Sequence, residues 1–337
     1  MTLPRTIRAS YLAAGLLASA IAALAIWLFV TGLPTGGNST QPGSSKKPIV
    51  IATFSKAIGN SPYHIAKHFG WFAELPELKG RAIQFKEFND RTAISDAFSA
   101  GDLHVLFCAE VPSLLCRIQG NDIRIVDLST KVEQSILVPP ESTIKGPKDL
   151  RGRKVAVLQG TSSHYCLLKI LAANGVAERD LDLRYMAANE GKVAFEGGQI
   201  DAWAVWAPFV EQQEVSGRGK ALSGGDAYIN SVMSVAYPVI STEPAVVRAL
   251  VGTIERAKGW IRENSQEATE IVARDLGLDV EVVRLAWPKH DWAATLNAAA
   301  IADFQAKADF LAKQDKTRQG KSINVASDAV QTSFLPQ

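Results

Sequence analysis

The chain has little cysteine, no CxxC pair and no run of basic residues. Its three cysteines, Cys108, Cys116 and Cys166, are too few and too scattered for a zinc site or a complete disulfide framework. Cys108 and Cys116 could pair, but small buried thiols are the expectation. A net charge of +2 over 337 residues, with lysine and arginine dispersed, does not point to nucleic acid. His64 and His68 stand four apart without an evident third ligand, and His290 stands alone, so no metal set is predicted. The glycine-bearing turn at Gly160 has no lysine after it, which excludes a nucleotide P-loop. No cofactor is expected.

What remains is ordinary globular composition, 47% hydrophobic and 21% charged, with room for one large or two medium domains. The most informative stretch is Lys154–Tyr165. It reads as a buried strand, a tight turn at Gly160 and the first turn of a helix that stops near Asn174-Gly175. Thr161, Ser162 and Ser163 fall where a new helix has unpaired backbone N–H groups. Such an N-terminus seats an anion, and equally takes a Ser or Thr as a simple cap.

Arg5 and Arg8 precede an uncharged run from Ala9 to Leu33 whose heart is Tyr11–Val30. A signal-peptide core is about 7–15 residues and a spanning helix about 20, so the run reads as an uncleaved anchor rather than a cleaved signal. The arginines would stay inside and everything downstream would be exported. Residues 34–47 are a flexible, mostly polar tether.

From Pro48 the chain alternates strands and helices. Predicted strands are Ile49–Ala52, Ala82–Phe88, Leu103–Cys108, Ile123–Leu128 and Ser135–Val138. Predicted helices are Tyr63–Phe69 (with Ser61 as N-cap and Pro62 at its first position), Arg91–Ala100 and Ser113–Gln119. A second set follows, with strands at Lys154–Val157, Leu183–Tyr185 and Ala202–Val205. The segment Ala97–His104 resembles Ala194–Asp201, and Ile49–Phe69 echoes Lys154–Leu171. Two similar α/β lobes imply a cleft at the carboxyl ends of the strands. That places Asn60, Ser61, Glu110, Gly160, Thr161, Ser162, Ser163 and Trp206 on one cleft. Lobe 1 is expected at 48–138 and 235–325, lobe 2 at 139–234, and a peripheral tail at 326–337. Helices after Tyr237 would return to brace lobe 1. Glu110 either holds a ligand amine or caps the helix at Ser113, and Trp206 either packs or walls the cleft. Trp203 faces away from Trp206 and reads as core.

Three spaced motifs carry a resemblance. Lys148–Val157, then Gly160–Tyr165, then Asp201–Pro208 closely resemble the periplasmic aliphatic-sulfonate, taurine and nitrate binding proteins of ABC importers. The resemblance implies a bilobal Venus-flytrap fold, here preceded by an N-terminal transmembrane helix, with hinges near Val138–Glu141 and Val232–Tyr237. It implies an oxyanion seat at Gly160–Ser163, a Trp206 wall for the organic tail, and no chemistry of its own. The implied partners are a small oxyanion, an ABC permease and its ATPase, with the protein a monomer on the periplasmic side of the membrane. The sequence departs from the family pattern at His104, Glu110 and Ala207. Two alternatives share the fold: a thiamine-precursor pyrimidine binder, and a sulfinate desulfinase. The desulfinase uses a cysteine nucleophile in the cleft, and Lys56–Ser61 contains none.

Overall fold

The structure is a computed structural model that describes residues 47–54, 56–314 and 322–336. The expected anchor and all but the last residue of the expected tether lie outside the described residues. Among those described, no helix is long and apolar enough to cross a membrane.

Three parallel strands come first: β1 (Ile49–Phe54), β2 (Ile83–Phe88) and β3 (Val105–Ala109). Between and after them stand α1 (Ser61–His68), α2 (Arg91–Ser99) and α3 (Glu110–Ile118). Asp90 caps α2 by accepting from the amides of Thr92 and Ala93. β1 is buried on both faces, with Ile49 and Ile51 in one core and Val50 and Ala52 in another. That is why it reads as a continuous apolar run rather than an alternation.

A second parallel set follows: β5 (Lys154–Val157), β6 (Asp182–Tyr185) and β7 (Ala202–Val205), with α4 (Ser162–Ala173), α5 (Ala188–Glu196) and α6 (Phe209–Val215). Trp203 is core, as expected. Its indole fills the space over Gly191, where a Cβ would sit 2.8 Å from Nε1.

Two long strands join the sets. β4 (Ile123–Val138) and β8 (Lys220–Ala236) pair antiparallel along their lengths, so the sheet runs β2-β1-β3-β8-β4-β7-β5-β6. The sequence predicts two separate strands here, Ile123–Leu128 and Ser135–Val138, with none over 129–134. The chain instead stays extended there, because β8 and the short β9 (His290–Asp291) supply its backbone partners. Three register shifts absorb the local bending. The middles of β4 and β8, near residues 129–134 and 224–231, lie between the part of β8 that pairs with β3 and the part of β4 that pairs with β7.

The remaining helices are α7 (Tyr237–Thr242), α8 (Pro244–Glu263), α9 (Ser265–Leu276), α10 (Val280–Ala286), α11 (Ala298–Gln314) and α12 (Val325–Asp328). The helices α8, α9 and α10 share a core with β1 and β3, which is the expected bracing of the first set. The C-terminal stretch is not peripheral. Ile125 donates to Ala329 and accepts from Gln331, and Val325, Val330 and Phe334 are buried.

Candidate ligand-binding site

Four strands end where the two sets meet. β1 runs into a short turn at Ile58–Asn60, β3 into α3, β5 into the Gly160 turn, and β7 into Trp206. Three of these junctions converge on four consecutive residues of β8. Gly59 packs so closely that a Cβ would lie 2.1 Å from Ser231 Oγ. The Asn230 amide donates to Glu110 Oε2 at 2.9 Å. Cys166, on the first turns of α4, donates its thiol to the Tyr228 carbonyl at 3.3 Å. The fourth junction meets the other long strand, where Gln134 Nε2 donates to the Val205 carbonyl at 2.9 Å.

The turn before α4 is tightly built. Gly160 has φ +68°, a conformation that a side chain would strain. Its amide donates to His164 Nδ1 at 3.2 Å, and its carbonyl accepts from Arg91 Nη1 at 3.1 Å. Burial lowers the His164 pKa, so the ring is neutral and able to accept at Nδ1. Its remaining N–H faces Tyr185 Oη at 3.4 Å, and Phe310 packs edge-on at 5.3 Å. Thr161 caps α4: Oγ1 accepts from the His164 amide at 3.2 Å and donates to the Leu158 carbonyl at 2.7 Å. Its hydroxyl is therefore committed to the fold. Ser162 and Ser163, which begin the helix, are 4% and 1% exposed, and neither hydroxyl has a partner. Buried hydroxyls are nearly always bonded, so two adjacent orphans at a helix N-terminus are conspicuous.

The first-set junction differs. Ser61 is the first residue of α1 rather than its cap, and its hydroxyl donates to the Ile58 carbonyl at 2.6 Å. Asn60 is fully buried; Nδ2 donates to the Phe107 carbonyl at 3.4 Å, and Oδ1 is unpartnered. The side-chain oxygen of Gln134 is also a buried orphan.

Glu110 lies neither in an open loop nor at a cap for Ser113. It is the first residue of α3 and is fully buried. Lys307 Nζ lies 2.5 Å from its Oε1, and 2.7 Å from Asp303 Oδ2. The same ammonium donates to the Tyr228 carbonyl at 2.8 Å. Burial disfavours the charged lysine, but Glu110, Cys166 and Asp303 outweigh it and raise its pKa. Burial pushes the Glu110 carboxyl up, and Lys307 pulls it back. The ammonium that Glu110 holds is thus the chain's own. Lys307 was readable in principle: with Phe304, Ala308 and Leu311 it lies on the buried stripe of α11, where a lysine is anomalous. Gln134 and Asn230 carried no such signal.

Trp206 is half-buried. It packs edge-to-face on Phe209 at 6.0 Å, against the cores of the second set. Beside the α4 turn a cavity of about 580 Å³ opens between the two sets, lined by Arg91, Ser95, Gln119, Gln159, Gly160 and Leu311 among others.

Residues 59–268 match the family model described as NMT1/THI5 like. A relative from Escherichia coli (strain K12), named for binding aliphatic sulfonates, is 27% identical over 212 residues. The match covers 62% of this chain and 66% of that relative, just under two thirds of its length. The solved alkanesulfonate-binding protein of Xanthomonas axonopodis pv. citri, bound to MOPS, superposes with TM-score 0.72 at 24% identity, covering 85% of this chain and 99% of that one. A solved desulfurization enzyme superposes with TM-score 0.61 at 17% identity, covering 85% and 97%. The fold is the α/β periplasmic-binding-protein fold.

Proposed function

The chain belongs to the NMT1/THI5-like family, and from that premise we propose that it is the substrate-binding component of an ABC importer for a small sulfonate-type oxyanion. The observation that carries the reading is the pair of buried, unpartnered hydroxyls, Ser162 and Ser163, at the N-terminus of a 12-residue helix. Aligned amides, the helix dipole and two free hydroxyl donors suit a weakly basic, permanently ionised group without requiring a full countercharge. Gly160 and Thr161 shape this seat, and Asn60 and Gln134 offer acceptors to a donor or a water on the ligand. Glu110 organises the site through Lys307 instead of meeting the ligand. Trp206, at the end of β7, is the candidate wall for an organic tail.

The cysteines support binding over desulfinase chemistry. All three are free and buried. Burial raises the Cys116 thiol to about 11 and the Cys166 thiol to about 12, and pushes Cys108 up as well. A nucleophilic thiolate is therefore scarce at neutral pH.

Lobe 1 would comprise the first strand set with α7–α12, and lobe 2 the second set, closing about the middle of β4 and β8. An exported monomer, tethered by Tyr11–Val30, would deliver its anion to a permease and its ATPase. Membrane fractionation and N-terminal sequencing of the mature protein test the tether; a start between Gly32 and Lys47 overturns it. The function is tested by thermal shift of the purified chain with ethanesulfonate, taurine, sulfate, nitrate, bicarbonate and a thiamine-precursor pyrimidine. A sulfonate is expected to stabilise most, and to lose that effect in Ser162→Ala and Ser163→Ala. Stabilisation by the pyrimidine alone would replace this reading with the other binder.

A further inference from the structure

Arg91 occupies a position that its own helix does not favour. It is the first residue of α2, and the helix dipole opposes a cation in the first turn. The neighbouring carboxylate, Asp90, is spent on the cap, where it accepts from the amides of Thr92 and Ala93. The guanidinium is exposed and, among the described residues, makes no salt bridge. It reaches instead to the second strand set, where Nη1 donates to the Gly160 carbonyl at 3.1 Å. Gly160 needs such a hold. With φ +68° and no side chain, it has nothing but its backbone groups to pin it. Its amide donates to His164 Nδ1 at 3.2 Å. The His164 ring meets Phe310 edge-on at 5.3 Å, and Phe310 meets Tyr165 at 5.5 Å. Phe310 belongs to α11, which shares a core with α3 of the first set. The turn is therefore held from the first-set side at two points. Arg91 takes the Gly160 carbonyl, and Phe310 backs the ring that takes the Gly160 amide. Ser162 and Ser163 follow two and three residues later.

We propose that Arg91 is a positioning residue of the binding site: it grips the Gly160 carbonyl from the other strand set and holds the α4 turn in the shape that presents Ser162 and Ser163. The inference rests on the anion seat proposed above. Arg91 acts through Gly160 and does not have to touch the ligand. A carbonyl tied to a guanidinium cannot swing toward the anion, where its oxygen would repel it. A loosened turn would still meet an arriving ligand but would hold it less long, so the effect belongs in the dissociation rate.

Arg91→Gln tests this in the full chain, with hydrogen exchange of the Gly160 amide and stopped-flow binding of ethanesulfonate as the two readouts. Without ligand, the Gly160 amide should exchange roughly fivefold faster in the variant, the worth of about one hydrogen bond. Ethanesulfonate should dissociate faster by a similar factor, with its association rate nearly unchanged. Arg91 is exposed, so the melting temperature should match that of the parent. Arg91→Lys keeps a donor without the guanidinium fork and should recover part of both effects. Ser163→Ala should weaken ethanesulfonate while Gly160 exchange stays as in the parent, which keeps loss of a seat donor apart from loss of its positioning. If the parent binds no sulfonate, the seat reading fails, and the exchange comparison still decides the role of Arg91. Unchanged Gly160 exchange in Arg91→Gln would overturn the proposal. So would a loss of affinity confined to the association rate and erased by salt, which would make Arg91 a steering charge only.

Discussion

The junctions β1–α1 and β5–α4 look alike in sequence: an apolar strand, a glycine, a cluster of Asn, Ser or Thr, then a helix. Their hydroxyls go to different places. At α4, a glycine with positive φ turns the chain, and Thr161 alone satisfies the cap, so Ser162 and Ser163 are left over. At α1, Ser61 folds back on Ile58 and Gly59 is wedged against β8. The first junction spends its hydroxyl on the fold and keeps only the Asn60 side-chain oxygen unpartnered, whereas the second leaves two hydroxyl donors unspent. A helix N-terminus offers itself to a ligand only when its donors exceed what the fold consumes.

The difference can be broken from its base. Lys307→Met leaves Glu110 buried without its cation, and should destabilise the chain by about 3–5 kcal/mol in urea unfolding. Adding Glu110→Gln should recover much of that loss; no recovery would mean the carboxyl was already neutral. Next is the seat. Ser163→Ala removes a donor that the unliganded protein does not use. Sulfonate affinity should fall by about tenfold to a hundredfold in calorimetry, while stability without ligand holds or rises. Gly59 and Ser61 of the first junction should behave in reverse. Gly59→Ala should cost roughly 1–3 kcal/mol of stability through overpacking, and Ser231→Ala should relieve it. Smallest is Ser61→Ala, about 1 kcal/mol of stability for one hydrogen bond, with affinity unchanged. Equal affinity losses at Ser61 and Ser163 would erase the distinction.

The α4 turn was legible because each of its features is local: the apolar strand, the glycine and the hydroxyl cluster lie within about a dozen residues. The core strands were legible for the same reason, and Trp203 followed from simple alternation. What escaped depends on partners distant in sequence. Glu110 reads as a holder of a ligand amine or a helix cap until α11 brings Lys307 to it, 197 positions later (307 − 110). Ser129–Gln134, whose one apolar residue is Val132, falls outside both expected strands, yet β8 and β9 pair with it there. Thr161 and Ser162 are both candidate ligand donors in sequence; only cap geometry separates the one already spent from the one still free.

The placement of Val325–Phe334 constrains how the molecule can be made. The strands β5–β7 and their helices come from one contiguous stretch, so their contacts are mostly short in sequence and can form early. The first strand set cannot be finished until Val325–Phe334 arrive, because Ile125 takes both backbone partners from them and Phe334 closes the core over β1 and β3. A ribosome-tethered chain that has not yet reached residue 326 would therefore hold one ordered half beside one open half, with apolar surface waiting. Stopping synthesis after Ser327 should yield a protein that proteases nick first in β1–α3, while β5–α6 survives intact.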